Sequence, residues 1–529
     1  MTTTTAGSPT APACVLGPGP PSAAEVVAVA RDGMRVTLAP EAREAIAASR
    51  RVVERLAAGD QPSYGISTGF GSLATRHIPV GQRTALQRSL IRSHAGGSGP
   101  EVECEVVRAM MLLRLRTLAS GRTGVRLEVA ELLAGLLDAG ITPVVREYGS
   151  LGCSGDLAPL AHVALALAGE GGVRDADGRL RPAADALTAA GLAPVVLAEK
   201  EGLALINGTD GMLGMLLLAD HDLTARLRLA DVAAAMSIEA LLGSDAVFAA
   251  DLQQLRPHAG QAVSAGNLRL LLDGSAIMAS HRVPGACTRV QDAYSLRCTP
   301  QVHGAARDTL THARQVATTE LASAIDNPVV TLDGRVESNG NFHGAPLGYV
   351  LDFLAVVVAD VASMSERRTD RFLDVARNQG LPAFLAHDPG VDSGLMIAQY
   401  TQAAIVSELK RLAVPASVDS IPSSAMQEDH VSMGWSAARK LRRAVDGLTR
   451  VLAIEVMTAG RGLELRAPLT PAPATAAALA ALRDRVPGPG PDRHLSPEID
   501  AAIEAVCSGE ILDAVAAVVG PLDRTGAPP

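Results

Sequence analysis

From about residue 210 onward the chain is dominated by five long windows, 211–246, 303–325, 343–378, 394–413 and 432–459, in which Ala and Leu recur at helical spacing and proline is nearly absent. Helices of that length cannot bury their apolar stripes alone. They must pack on one another as a bundle, and the apolar surface left over suits contact with further copies of the chain. The composition agrees: aromatics are only 2% of the residues, which favours helices over strands. With 529 residues, 48% of them hydrophobic, the chain can bury a large core and has room for two to four domains. We divide it into a leader (1–22), an N-terminal domain (23–208), a central long-helix bundle (209–460) and C-terminal short helices (461–529).

Other readings lose ground on charge and cysteine usage. A net charge of -9, with no basic run of five or more, argues against a nucleic-acid surface. No apolar stretch of about eighteen residues is evident, so no membrane span is expected. Residues 1–22 lack a basic region followed by an apolar core and read as a disordered leader, not a secretory signal. Cys14, Cys104, Cys153, Cys287, Cys298 and Cys507 are scattered without CxxC spacing, which disfavours zinc and a disulfide framework and fits a reducing cytoplasm.

The most unusual local string is Tyr148-Gly149-Ser150-Leu151-Gly152-Cys153-Ser154-Gly155-Asp156-Leu157-Ala158-Pro159-Leu160. Asp156 reads as an N-cap, with Pro159 in the first turn of a helix whose positive end points at Ser154. A nucleophile elbow would need glycine two residues beyond Ser154, where Asp156 stands. A phosphate loop would need a Lys-Ser or Lys-Thr pair after the glycines. Taken alone, the string is explained by a helix cap after a glycine turn. A different chemistry uses all three central residues: if the Gly155 amide nitrogen attacks the Cys153 carbonyl carbon and two waters leave, Ser154 becomes a dehydroalanine in a five-membered ring. Glycine suits the third position because its bare α-carbon lets the chain bend back on itself.

Four further strings hold candidate site residues. Tyr64-Gly65-Ile66-Ser67-Thr68-Gly69-Phe70-Gly71 is a glycine-rich loop, and Tyr64 either packs there or works in a closing loop. His94, before Ala95-Gly96-Gly97, alone reads as a hydrogen-bonded structural histidine. Asn207 lies in an apolar run and must cap a turn or hold a ligand. Gln291, Tyr294 and Arg297 stand three apart, so a helical turn would put them on one face, where the guanidinium could hold a carboxylate by two parallel bonds. Glu428, Asp429 and His430 suggest a metal at first sight, but Glu428 and His430 would point to different sides of a helix and no partner has matching spacing.

GCSGDLAPLAH around Ser154 resembles the prosthetic-group motif of the aromatic amino-acid ammonia-lyases, which carry a 4-methylideneimidazole-5-one (MIO) electrophile. The commonest family triplet is Ala-Ser-Gly; Cys153 replaces the first residue and leaves the ring-forming atoms unchanged. YGISTGFG, SHAGG, LINGT, QDAYSLRC and GNFH are similar to family segments in the same order, from about residue 25 to 520. The resemblance implies a mainly α fold, a long-helix bundle of the fumarase/aspartase-like superfamily, with a small N-terminal domain carrying the catalytic loops.

It also implies roles for individual residues. Cys153, Ser154 and Gly155 would form the MIO autocatalytically, with no dissociable cofactor and no metal. Tyr64 would remove the β-proton, Tyr294 assist elimination, and Arg297 hold the carboxylate, with Asn207, Gln291 and Phe342 near the prosthetic group. Glu428 within QEDHVSM is similar to the subgroup acting on histidine, since a carboxylate can accept an imidazole N–H that a phenyl ring lacks. His94 and Met396 look like its companions around the imidazole. The implied reaction is non-oxidative elimination of ammonia from L-histidine to trans-urocanate, in a homotetramer whose sites combine several protomers. The rivals are a 2,3-aminomutase on the same prosthetic group, a tyrosine or phenylalanine ammonia-lyase, and an inactive structural or ligand-binding paralogue.

Overall fold

The computed structural model describes residues 13–59, 62–287 and 289–523. The long windows are helices: Asp210–Ala240, Thr299–Ala322, Ala345–Leu373, Met396–Leu412 and Gly434–Glu464. The expected helix pair between 105 and 140 is Cys104–Ala119 and Leu127–Asp138. Strands among the described residues are short, two to four residues each, and the Asp333-Gly334 hairpin forms between Val329–Val330 and Val336–Glu337. The protein is mainly α, as its composition implies.

One departure concerns the start of the chain. Residues 1–12 of the expected leader lie outside the described residues. Ala13–Leu16, by contrast, is a strand paired in parallel with Arg35–Leu38, burying Cys14 and Leu16, so the expected disorder does not extend over it. Ser22 then caps the helix Ala23–Arg31 with a capping box: its hydroxyl accepts the Glu25 amide at 3.2 Å while Glu25 accepts the Ser22 amide at 2.7 Å. Ser-x-x-Glu was the sequence signal that this segment was already structured.

The domain boundaries differ as well. One compact unit joins the chain up to Leu218 with Gln315–Leu351 and Pro415–Arg439; the other joins Ala219–Arg314, Asp352–Val414 and Lys440–Pro529. This replaces the continuous 23–208, 209–460 and 461–529 division, because each of four long helices contributes residues to both units.

Within the first unit, buried polar pairs pin the elements around the Ser154 loop. Lys200 and Asp326, both fully buried, pair at 2.5 Å. Arg114, also buried, donates to the carbonyls of Asn207 at 2.6 Å and Ile325 at 2.8 Å. Trp435, the only tryptophan, donates its indole N–H to the Glu147 carbonyl at 2.7 Å. Within the second unit, the buried Arg368 guanidinium pairs with Glu455, and His303 and Arg307 with Asp231.

Two helical stretches, Glu201–Ala240 and Ala345–Leu373, are long and apolar enough to cross a membrane, contrary to the expectation that no such stretch exists. Ala and Gly keep each apolar while scattered charges hide it from a search for an unbroken run. The apolar window of the first is wholly buried inside the protein, as befits a core helix.

Candidate active site

The Ser154 loop is held from several sides. Ser432 Oγ donates to the Gly152 carbonyl at 2.6 Å, the Gly344 amide donates to the same oxygen at 3.0 Å, and the Met433 amide donates to the Leu151 carbonyl at 2.8 Å. At the other end, the Asp156 amide donates to the Gly208 carbonyl at 2.7 Å. Ser432 was not singled out from sequence, and a serine in a polar string gives no sign that it closes a loop 280 residues away.

Asp156 occupies the N-cap position of helix Leu157–Leu167 but its side chain does not bond to that helix. Its carboxylate accepts the amides of Gly211 at 2.9 Å and Met212 at 3.0 Å, at the start of helix Asp210–Ala240, and the Ser150 hydroxyl at 2.9 Å. Burial pushes its pKa up to about 7 against the pull of these donors.

Gly155 has φ +80°, a conformation costly for any residue with a side chain, and a Cβ there would lie 2.2 Å from the Gly208 carbonyl oxygen. The triplet thus stands in a tight bend that only glycine fits, which suits closure of the Cys153-Ser154-Gly155 ring.

Beside this loop lies a cavity of about 1020 Å³. Of the residues singled out from sequence, it brings together Tyr64, His94, Cys153, Ser154, Asn207, Phe342 and Glu428. Gly155, the next residue in the chain, is buried and does not line it. The Tyr64 hydroxyl accepts the Gly71 amide at 3.3 Å. His94 ends helix Arg83–His94, its Nδ1 2.9 Å from the Leu90 carbonyl, and Asn207 sits at the C-cap of Glu201–Ile206. Glu428 accepts Ser154 Oγ at 2.8 Å on one oxygen and Cys153 Sγ at 3.1 Å on the other. Burial first, then the Glu428 carboxylate, pushes the Cys153 thiol up to about 12, so it stays protonated.

Glu428 and His430 are not on a helix, as the spacing reading supposed. Glu428 pairs through its backbone with Ser423 in an isolated bridge, and both side chains face the cavity. The His430 ring stacks on His343, centroids 5.6 Å apart and planes within 2°. This pair, with Arg76 and Gln427, lines the cavity without having been assigned a role from sequence. GNFH and QEDH contained the two histidines, but nothing in either string showed that they meet.

Gln291, Tyr294, Arg297 and Met396 belong to the second unit and are not among the residues lining this cavity. The helix there is only Tyr294–Arg297, so Gln291 stands outside it, yet the three side chains do converge. Arg297 donates to Gln291 Oε1 at 2.9 Å, and its guanidinium lies 4.7 Å from the Tyr294 ring centroid. Tyr294 is 70% exposed, so this cluster presents an open face.

The chain belongs to the aromatic amino acid lyase family, whose model matches residues 22–484. It is similar over nearly its whole length to proteins named histidine ammonia-lyase: that of Streptomyces avermitilis is 62% identical and that of Streptomyces coelicolor 63% identical, each over 509 residues, 96% of this chain and 99% of the relative. Among solved structures, tyrosine aminomutase from Streptomyces globisporus superposes with TM-score 0.89 at 36% identity, covering 96% of this chain and 98% of that one. Histidine ammonia-lyase from Trypanosoma cruzi gives 0.87 at 37%, covering 95% and 94%.

Proposed function

We propose that this chain is an ammonia-lyase that eliminates ammonia from L-histidine to give trans-urocanate. The observation that carries the substrate is Glu428: a carboxylate placed against Cys153 and Ser154, in a cavity shared with His94, is an acceptor for an imidazole N–H, a donor that a phenyl ring does not offer. The likeness to proteins named histidine ammonia-lyase at 62–63% identity supports the same reading.

The tight bend at Gly155 and the exposed edge of Ser154 in the cavity fit a 4-methylideneimidazole-5-one made from Cys153, Ser154 and Gly155. Cys153, Ser154 and Gly155 would hold that group, and it would supply the electrophile toward the substrate amine. The chain's own residues do the rest. Tyr64, on a loop rich in glycine, takes the β-proton. Glu428 and His94 orient the imidazole, and Asn207 and Phe342 border the reacting end. Cavity walls of Leu86, Leu90, Leu157 and Leu203 limit water around the base.

Arg297 supplies the bidentate grip on the carboxylate, with Gln291 and Tyr294 beside it and Met396 against the imidazole. We place these four in the site through assembly of a homotetramer, each site drawing on more than one protomer. Exposed apolar side chains on the long helices support assembly: Phe353 and Val356 lie one turn apart, as do Ile397 and Tyr400. Six scattered free cysteines fit a reducing compartment such as the cytoplasm.

The test is L-histidine incubated with the purified protein, following the near-ultraviolet absorbance of urocanate together with released ammonia. One-to-one appearance of both is the expected result. A β-amino acid product, or consumption of L-tyrosine in preference to L-histidine, would overturn it.

A further inference from the structure

Both oxygens of Glu428 are engaged by donors near the bend. Ser154 Oγ donates to Oε1 at 2.8 Å; the Cys153 thiol donates to Oε2 at 3.1 Å, and the Ser423 hydroxyl reaches that same oxygen at 3.2 Å. Backbone pairing with Ser423 fixes the residue from behind. Three donors thus hold one carboxylate, but they are not equally permanent.

Ring closure joins the Gly155 amide nitrogen to the Cys153 carbonyl carbon. The carbonyl oxygen leaves as water with the amide hydrogens of Gly155 and Ser154, and the Ser154 hydroxyl leaves with its α-hydrogen as a second water. No oxidant is required. Closure removes the donor on Oε1 and leaves both donors on Oε2.

We propose that Cys153 is a positioning residue for substrate recognition: its thiol holds Glu428 by Oε2, so that loss of the Ser154 hydroxyl frees Oε1 at the cavity wall to accept an N–H of the substrate imidazole. Ring formation and readiness of the imidazole acceptor are then one event. The proposal rests on the L-histidine reading and deepens it. Its chemistry is consistent with a thiol that burial keeps protonated, since a thiolate could not donate. Two donors converging on Oε2 also restrict the carboxylate more than the single bond from Ser423 would.

The binding experiment uses Ser154→Ala, which cannot close the ring and has no hydroxyl on Oε1. Calorimetry compares it with Cys153→Ala/Ser154→Ala and Cys153→Ser/Ser154→Ala, using urocanate and cinnamate as probes; the two differ in whether the ring offers an N–H. Removing the thiol is expected to weaken urocanate about fivefold, the worth of one modest hydrogen bond, with cinnamate unchanged and the serine variant restored. Equal urocanate affinity with and without the thiol would overturn the proposal, and so would an equal loss for both probes, which marks a merely structural role. In the otherwise native protein, Cys153→Ala is expected to close the ring, seen as near-ultraviolet absorbance and a mass deficit of two waters, with KM for L-histidine raised about fivefold. Failure of that ring to close would assign the thiol to ring formation and overturn the positioning role. An unsubstituted protein that closes its ring but ignores L-histidine would defeat the substrate reading itself, before any variant is compared.

Discussion

Asp156 Oδ2 accepts the amide of Gly211 at 2.9 Å, so the carboxylate that heads one helix caps another and ties the Ser154 loop to the first turn of Asp210–Ala240. Because burial raises its pKa from 3.8 to about 7, the folded protein holds a proton there between about pH 4 and 7 that the unfolded chain has released. The sign follows: stability from this group is full below about pH 4, falls as pH rises toward 7, and is flat above, at up to about 1.4 kcal/mol per pH unit. Asp156→Asn does not titrate, so the stability of the native protein relative to this variant is expected to fall between pH 5 and 7. Urea unfolding of both proteins measures it, and a difference that rises with pH would contradict the assignment.

Gly155→Ala places a methyl group 2.2 Å from the Gly208 carbonyl oxygen at φ +80°. The left-handed conformation alone costs about 1–2 kcal/mol, and the clash forces the bend open, separating the Gly155 nitrogen from the Cys153 carbonyl carbon. The expected product folds but keeps the mass of the uncyclised chain, lacks the near-ultraviolet band and has only background activity. Intact-protein mass spectrometry decides it.

Lys200 and Asp326 are buried together, and each is pushed toward its neutral form by burial while the other's charge opposes this. Removing Lys200 takes away the direct partner of a fully buried carboxylate and leaves only the Arg114 charge and the Asn327 amide to offset its burial. Lys200→Met is therefore expected to lower stability by about 3–5 kcal/mol, and Lys200→Met/Asp326→Leu by clearly less. Denaturant unfolding of the three proteins checks the order.

Helix positions were legible because Ala and Leu at a 3.6 period carry their own signal, and five windows became five helices with ends shifted by a few residues. The capping box at Ser22 carries an equally local signal, Ser-x-x-Glu, inside a stretch whose composition alone suggests disorder. Cys153 and Ser154 could be singled out because their chemistry is local. The contact that gives Glu428 its meaning could not: it crosses 274 positions, and QEDH carries no mark of the bend it faces. The unit boundaries escaped for the same reason, since a helix shared between two units looks continuous in sequence.

On the proposed roles, Glu428→Ala removes the imidazole acceptor but no atom that stays in the ring: its contacts with the triplet are to the Ser154 hydroxyl, which leaves as water, and to the Cys153 thiol, which remains outside the ring. We expect kcat/KM for L-histidine to fall by about 100-fold, as for a hydrogen bond to a charged group, while the near-ultraviolet band of the ring persists. Glu428→Gln should recover part of the loss because the amide oxygen still accepts. An unchanged rate would remove Glu428 from substrate recognition.

Tyr64 lines the cavity and Arg297 belongs to the other unit, so a shared site makes a prediction that a site within one chain does not. On the roles proposed above, Tyr64→Phe would lack the base and Arg297→Met the carboxylate grip, and each alone is expected to lose about 10²-fold or more in kcat/KM. If the two side chains serve one site from different protomers, oligomers assembled from both variants contain some sites with native Tyr64 and native Arg297. Those mixed assemblies regain activity with a KM near that of the native protein, in proportion to the fraction of mixed oligomers. If the two residues serve a site from the same chain, every site in the mixture carries one defect and no activity returns. Co-expression with two affinity tags, followed by light scattering and the urocanate assay, separates the outcomes.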